Sequence, residues 1–446
     1  MSKLASAYGL KPRLAIILAI ATFATSLLTT ACQETTPPKT QTSSTDGNAS
    51  PATSGGSDGL KLGTLTPSTG DLASIGQAFP PAVKLAVEQV NACGGVNGKP
   101  VTLVVEDDQT DPNAGAAGMT KLAEVDKVAG VVGSFASSVS TAALPIAVRN
   151  KVMMISPGST SPVFTEQAKK GGFQGFWART APPDTYQARA LAKLASEKGF
   201  KRVATAVINN DYGVGFEREF TTAFEKLGGT VVNKDKPTRY DPKATTFDTE
   251  AASAFSGKPE AVAAVLYAET GSLLLKAAYQ QGLAEGVTVM LTDGVYSPDF
   301  PEQVGKTGDG KYLLGGAIGT VPGANGKGLE EFTKTWKEKT NKEVTAYVPH
   351  SYDAAALLML AAEAAKSNTG EGIKSKIREV SASPGTEVTD LCQAMELVRK
   401  GEDINYQGAS GNVDIDENGD VIGDYDTWAV ETDGKLKVTG KVSPET

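Results

Sequence analysis

Short apolar runs and longer periodic stretches alternate along most of this chain. Runs of strand character lie at residues 61–64, 101–105, 130–133, 152–156, 203–208, 262–267 and 287–291. Between them, residues 82–91, 114–123, 140–148, 186–198, 216–227 and 272–281 repeat their apolar positions every three or four residues, the period of a helix. Uninterrupted apolar strands are buried on both faces, which requires parallel sheets covered by helices. Helical stretches follow at 328–339, 352–365 and 388–400, and short β segments at 413–415, 427–430 and 436–438 close the chain. The pattern predicts an α/β protein of two parallel-sheet lobes with a late change to hairpins, and residues 60–446 are too long for one ordinary domain.

The first 58 residues follow different rules. Lys3, Lys11 and Arg13 precede an apolar stretch that stops at Cys32 after Thr29-Thr30-Ala31. The apolar run from Leu14 to Leu28 is short for a membrane span, and basic, apolar and small residues in that order read as an export signal. Ending on a cysteine, it resembles a bacterial lipoprotein signal, which implies cleavage before a lipidated Cys32. It departs from that pattern in one respect, since Leu28 sits one residue earlier than the preferred leucine. An ordinary signal cut elsewhere gives the same extracytoplasmic address. Residues 33–58 hold Thr, Ser, Pro and Gly and no large apolar side chain, so they have little surface to bury and are expected to act as a tether.

Composition narrows the chemistry. Apolar residues make up 40% and charged residues 21%, as in an ordinary soluble globule. The net charge is −8; residues 1–31 carry three positive charges and no acid, so the chain without them stands at −11. No basic stripe is present to neutralise phosphates, so nucleic acid is not an expected partner. One histidine, His350, rules out zinc sites built on two imidazoles, and with no Cys-x-x-Cys no metal is expected. No P-loop and no GxSxG elbow occurs, so neither an NTPase nor a serine hydrolase is expected. Residues 414–425, DIDENGDVIGDY, begin like a calcium loop but place Tyr425 at the twelfth position, which needs a bidentate carboxylate. Apart from Cys32, Cys93 and Cys392 are left, and in an oxidising compartment they are either a disulfide or two separate buried thiols.

Ligands of open parallel sheets bind beyond the carboxyl ends of the strands. After residues 130–133 come Ser134-Phe135-Ala136-Ser137-Ser138, and after 152–156 come Pro157-Gly158-Ser159-Thr160-Ser161. Hydroxyls and unpaired N–H groups at a helix start suit a carboxylate, although serine also caps helices where no ligand binds. Further along, Asn210-Asp211-Tyr212, Tyr267-Ala268-Glu269 and Thr292-Asp293 end their strands with carboxylates and tyrosines. A hydroxyl-rich anion site opposite carboxylates suits an α-amino acid, which carries both charges.

The segments LAVEQVNACGGVNGKPVTLVVEDDQTDP, GVVGSFASSVSTAALPIA, KVMMISPGSTSPVFT, NNDYGVGF, TAYVPHSYDAAALL and INYQGASGNVDIDENGD together resemble the type I periplasmic solute-binding proteins of ABC transporters, in their branched-chain amino acid group. The resemblance runs from about Leu60 to the C-terminus. It implies two Rossmann-like lobes joined by three crossovers, near residues 180–184, 318–322 and 408–412. The domain scheme it implies is a signal at 1–31, a lipidated cysteine and linker at 32–59, lobe 1 at 60–181 plus 320–410, and lobe 2 at 182–319 plus 411–446. Cys93 and Cys392 would then share lobe 1, which favours their pairing. By position, Ser137 and Thr160 match residues that hold the ligand carboxylate and, in part, its ammonium, with Ser138 and Ser159 as further ligand-binding residues; Gly158 offers a carbonyl to the ammonium, Asp293 stands as its acidic partner, and Tyr212 and Tyr267 form aromatic walls. The first loop, residues 69–75, lacks the aromatic residue often found there, which leaves the choice of amino acid open. The implied function is that of a monomeric, cofactor-free binding subunit, anchored by lipid outside the cytoplasm, that delivers an amino acid to a membrane permease by hinge closure. The same fold binding urea, short amides or aromatic acids, or serving as a sensor, is the alternative.

Overall fold

The computed structural model describes residues 59–443; the apolar leader, Cys32 and the tether lie outside the described residues. Two parallel sheets organise this body. The first has five strands in the order β2-β1-β3-β4-β5: β1 Lys61–Thr66, β2 Thr102–Asp107, β3 Gly130–Gly133, β4 Met153–Ser156 and β5 Trp177–Arg179. The second takes in β6 Arg202–Ile208, β7 Thr230–Val231, β8 Thr238–Tyr240, β9 Ala261–Val265, β10 Thr288–Leu291 and β11 Ile318–Pro322. A small sheet of β12 Thr386–Val388, β13 Ile404–Gly408 and β14 Gly411–Asn412 follows, before β15 Tyr425–Val430 and β16 Leu436–Val442 return to the second sheet. There β15 runs antiparallel to β11, and β16 antiparallel to β15.

The apolar runs form these strands for the expected reason: β3, β4 and β9 are buried at every position between helical layers. β2 differs. It is the edge of its sheet and half-exposed, with Val105 52% accessible, so an apolar run there does not imply two covered faces. The helix Phe79–Ala92 accepts Pro80-Pro81 in its first turn, where proline's missing N–H has no partner to lose. The helix read at 114–123 starts at Pro112 under an Asp111 cap and widens after Thr120 into π-helical Lys121–Val125.

Two expectations fail locally. Residues 413–415 form no strand: the Asn412 side chain takes the Asp414 N–H at 2.7 Å, and Val413 and Ile415 are buried without a ladder. Helix 388–400 begins only at Leu391, because Val388 ends β12 and Asp390 caps the helix through the Gln393 N–H at 2.7 Å.

Cys93, closing the helix Phe79–Ala92, is joined to Cys392 in the helix Leu391–Lys400, with Cα atoms 5.8 Å apart. The long helix Val348–Ala364 packs on the helix Phe79–Ala92 and on β3 and β4. Its Asp353 accepts the backbone N–H groups of Ala409 (2.8 Å) and Ser410 (2.6 Å), which pins the turn between β13 and β14.

Candidate functional site

The carboxyl ends of β3 and β4 build one rim. The loop after β3 enters the helix Ser137–Arg149 through Ala136, which has no side chain to cap it, so the first helical N–H groups are left for another acceptor. Ser137 is buried at the first helical position and Ser138 is half-buried beside it. The turn after β4 is tied down by hydroxyls. Ser156 Oγ accepts the N–H groups of Gly158 (3.2 Å) and Ser159 (2.8 Å) and donates to Ser134 O (2.5 Å). The Ser159 hydroxyl lies within hydrogen-bond distance of Ser134 O, Phe135 O and Ser140 Oγ at 2.8–3.1 Å. It therefore faces the protein and braces the two loops against each other. Gly158 has no room for a side chain, since a Cβ would lie 2.1 Å from the Phe135 ring.

Arg179 supports this turn from below. Fully buried at the end of β5, it donates to Ser159 O (2.9 Å), Ser161 O (3.0 Å) and Thr165 Oγ1 (2.8 Å), and it pairs with Asp420 at 2.7 Å. Thr160, at the apex, is buried and its hydroxyl has no hydrogen-bond partner. Of the serine and threonine side chains proposed from sequence, Thr160 is thus the one buried without any hydrogen-bond partner, while Ser137 accepts the Ser161 N–H at 3.3 Å.

The opposite rim is phenolic and acidic. Tyr212 stands at the start of the helix Asp211–Lys226, stacked on Tyr267 with ring centroids 5.7 Å apart. Its hydroxyl bonds Thr292 Oγ1 (2.7 Å) and Asp293 Oδ1 (2.9 Å). Tyr347, held at φ 65° just before the helix Val348–Ala364, reaches Asp293 Oδ2 at 2.7 Å. Tyr267 is buried and its hydroxyl is unpartnered; Asn210 lies beside it without hydrogen-bond geometry.

Asp184 completes the cluster. It is fully buried at the first position of the helix Asp184–Glu197, and neither of its carboxylate oxygens has a hydrogen-bond partner. The Thr160 hydroxyl is close enough to favour its charged form, though not in hydrogen-bond geometry. One turn on, Gln187 donates to Thr320 O (3.0 Å) and also faces Asp293. Burial, and then the charge of Asp293, push the Asp184 carboxyl well above the usual range. Burial also raises Asp293, against the lowering influence of Tyr347, Tyr212 and Gln187. Among the described residues neither acid makes an ion pair; Arg179, which acts on Asp184, is bound to Asp420.

The two rims touch. Besides Tyr347 on Asp293, Ser161 Oγ donates to Asp211 O (2.8 Å) and Asp71 accepts from Thr270 N (2.8 Å) and Thr270 Oγ1 (2.6 Å). A surface cavity of about 540 Å³ borders the segments carrying Asp293 and Tyr347, but its walls are Tyr296, Val344–Ala346 and the β15–β16 turn, and none of the site side chains lines it.

His350, the single histidine, is buried within the helix Val348–Ala364, and burial lowers its pKa to about 3. The rims bring together Ser137, Ser138, Gly158, Ser159 and Thr160 on one side and Tyr212, Tyr267 and Asp293 on the other. Sequence reasoning missed Asp184, Gln187, Arg179, Tyr347 and Asp71. A proline-preceded acid opening a helix, Pro183-Asp184, was the available signal for the first.

Two parallel-sheet lobes with polar rims meeting over a cleft define a two-lobed solute-binding protein. Residues 79–433 match the family described as the receptor family ligand binding region. The chain belongs to that family. It is 27% identical over 363 residues to the chemotactic signal transduction system substrate-binding protein BasB of Halobacterium salinarum, covering 80% of this chain and 83% of that one. It is 28% identical over 327 residues to Leu/Ile/Val-binding protein homolog 1 of Brucella abortus, covering 71% and 82%. The crystal structure of the leucine binding protein LivK of Thermotoga maritima superposes with a TM-score of 0.72 at 27% identity, over 86% of this chain and 99% of that one. These relatives are binding proteins rather than enzymes.

Proposed function

We propose that the protein is the extracytoplasmic binding subunit of an ABC importer and that it holds an α-amino acid between its lobes. The observation that carries this reading is the pair of buried carboxylates, Asp184 and Asp293, without a cation between them. Two such charges in one dry site are costly unless paired, and a ligand ammonium pairs both. Across the cleft, the uncapped start of the helix Ser137–Arg149 and the Thr160 hydroxyl offer donors to the ligand carboxylate. Tyr212 and Tyr267 wall the space beside the ammonium. Ligand closes the lobes only through contacts that the closed form makes better, so Tyr347 and Asp71, which cross the cleft, belong to that form.

The relatives' names, leucine binding and Leu/Ile/Val-binding, support an amino-acid ligand. Lobe 1 is assigned to residues 60–181 plus 323–410 and lobe 2 to 182–322 plus 411–443; the sequence-based boundary at 319/320 is moved because β11, Ile318–Pro322, belongs whole to the second sheet. Lipid on Cys32 and the tether 33–58 would hold a monomeric body within reach of a permease. Urea, amide or aromatic-acid binding keeps the fold but leaves the two carboxylates without a cation. Thermal unfolding of the full chain with amino acids, urea, amides and benzoate decides: a ligand at a hundred times its Kd stabilises by about 2.7 kcal/mol. Shifts with neutral amino acids are expected, and shifts confined to benzoate or urea would overturn the reading.

A further inference from the structure

The lobe-2 wall of the cleft runs between two acidic poles. At one end Asp293 holds Tyr212 and Tyr347. Tyr267, stacked on Tyr212, carries the wall onward, and its backbone N–H donates to the Tyr240 hydroxyl at 3.1 Å. At the far end stands Asp71, which comes from the loop after β1 in the other lobe and caps the helix Ala268–Gln280 through Thr270. The Tyr267 hydroxyl is buried without a hydrogen-bond partner, with Asn210 beside it, and the charges of both Asp71 and Asp293 act on its phenol. Among the described residues no lysine or arginine forms an ion pair with Asp71.

An aliphatic ligand side chain placed there would leave the Tyr267 hydroxyl unsatisfied and strip water from Asp71 with nothing in return. A buried polar group left unpaired costs about 1–3 kcal/mol, and sites built to hydrogen-bond a ligand reject analogues lacking the partner by large factors. A side chain ending in N–H donors gives both groups a partner. We propose that the end of the cleft bounded by Asp71 and Tyr267 receives a ligand side chain ending in N–H donors, so that the ligand is a basic or amide amino acid rather than Leu, Ile or Val. This rests on the zwitterion reading of Asp184 and Asp293.

The test is calorimetric titration of the full chain with L-arginine, L-lysine, L-glutamine, L-leucine and L-valine. The best of the first three should bind at least tenfold more tightly than leucine. Asp71→Leu should reverse that order. Asp71→Asn, whose side-chain oxygen can still accept the Thr270 N–H, should weaken the donor-bearing ligand several times more than it weakens leucine; it decides the matter if Asp71→Leu does not fold. Leucine or valine binding tightest to the parent, or a preference untouched by Asp71→Asn, overturns the inference and leaves the zwitterion site standing. Binding of benzoate or urea and of no amino acid overturns both.

Discussion

The two rims of the cleft solve the problem of polar groups in a closed site in opposite ways. The lobe-1 rim is internally satisfied: Ser156, Ser159 and Arg179 bond the backbone of the two loops, and what remains is a set of helix N–H groups and the Thr160 hydroxyl. The lobe-2 rim is in electrostatic debt, with Asp293 buried among phenols and Asp184 facing it without a partner. The first rim is braced by its own bonds and leaves only donors for a ligand, whereas the second leaves carboxylates without a cation. Position is set by one side and binding energy by the other.

The largest test of this contrast is Arg179→Met. It leaves Asp420 buried without its cation and frees the Ser159–Ser161 turn, so stability should fall by about 3–5 kcal/mol in a denaturant titration. A loss under 1 kcal/mol would mean the lobe-1 rim does not depend on its support.

Next come Asp184→Asn and Asp293→Ala. Each should weaken amino-acid binding about 100-fold, near 2.7 kcal/mol, because a charge-assisted bond to the ammonium is lost. Asp184→Asn should also raise the ligand-free Tm, since it removes a buried carboxyl that has no hydrogen-bond partner and whose burial disfavours ionisation. Unchanged amino-acid affinity in Asp293→Ala refutes its role as an ammonium partner.

A smaller effect is expected of Tyr347→Phe. Losing the 2.7 Å bond to Asp293 removes a contact of the closed form, and affinity should fall about tenfold, or ~1.4 kcal/mol, with the fold intact. Affinity equal to the parent's would place Tyr347 outside the closing device.

The smallest signal is in protons. An ammonium favours ionised Asp184 and Asp293, whose carboxyls are raised, so binding at mildly acidic pH should release a fraction of a proton and affinity should fall on acidification. Stability of the ligand-free protein should move the other way. Asp108 and Asp353 are pushed up to about 6 from 3.8, so between these values the folded state holds protons that the unfolded state has lost. These acids therefore add stability as pH falls through that window. Calorimetry in buffers of different ionisation enthalpy reads the first effect, and Tm against pH the second.

Much of the scaffold was legible because it is local. Residues 130–133 and the hydroxyls after them could be placed from one apolar run and one helix start. β5, three residues long, was not legible, since Trp177–Arg179 becomes a strand only by pairing with β4. Residues 413–415 misled because alternation reports burial, and their burial comes without a ladder. In the candidate site, the residues that could be named from sequence are those carried by their own strand ends. Tyr347 was not, because it reaches Asp293 from 54 positions away and from the other lobe. Asp184 reads locally as an ordinary acid at a helix start, where the dipole favours it. Only the fold reveals that, among the described residues, no cation forms an ion pair with it.

One helix bears on how such a cleft can change its ligand. Every residue from Val348 to Glu363 is buried, with Tyr347 at its head and Asp353 six residues on, about 9 Å along the axis. A rod enclosed on all sides cannot turn to re-aim its tip, so Tyr347 and the pinned turn at Ala409-Ser410 are inherited as a unit. New ligands must be accommodated by the loop after β1 and by the strand ends of the second sheet, where side chains can be exchanged without disturbing that helix.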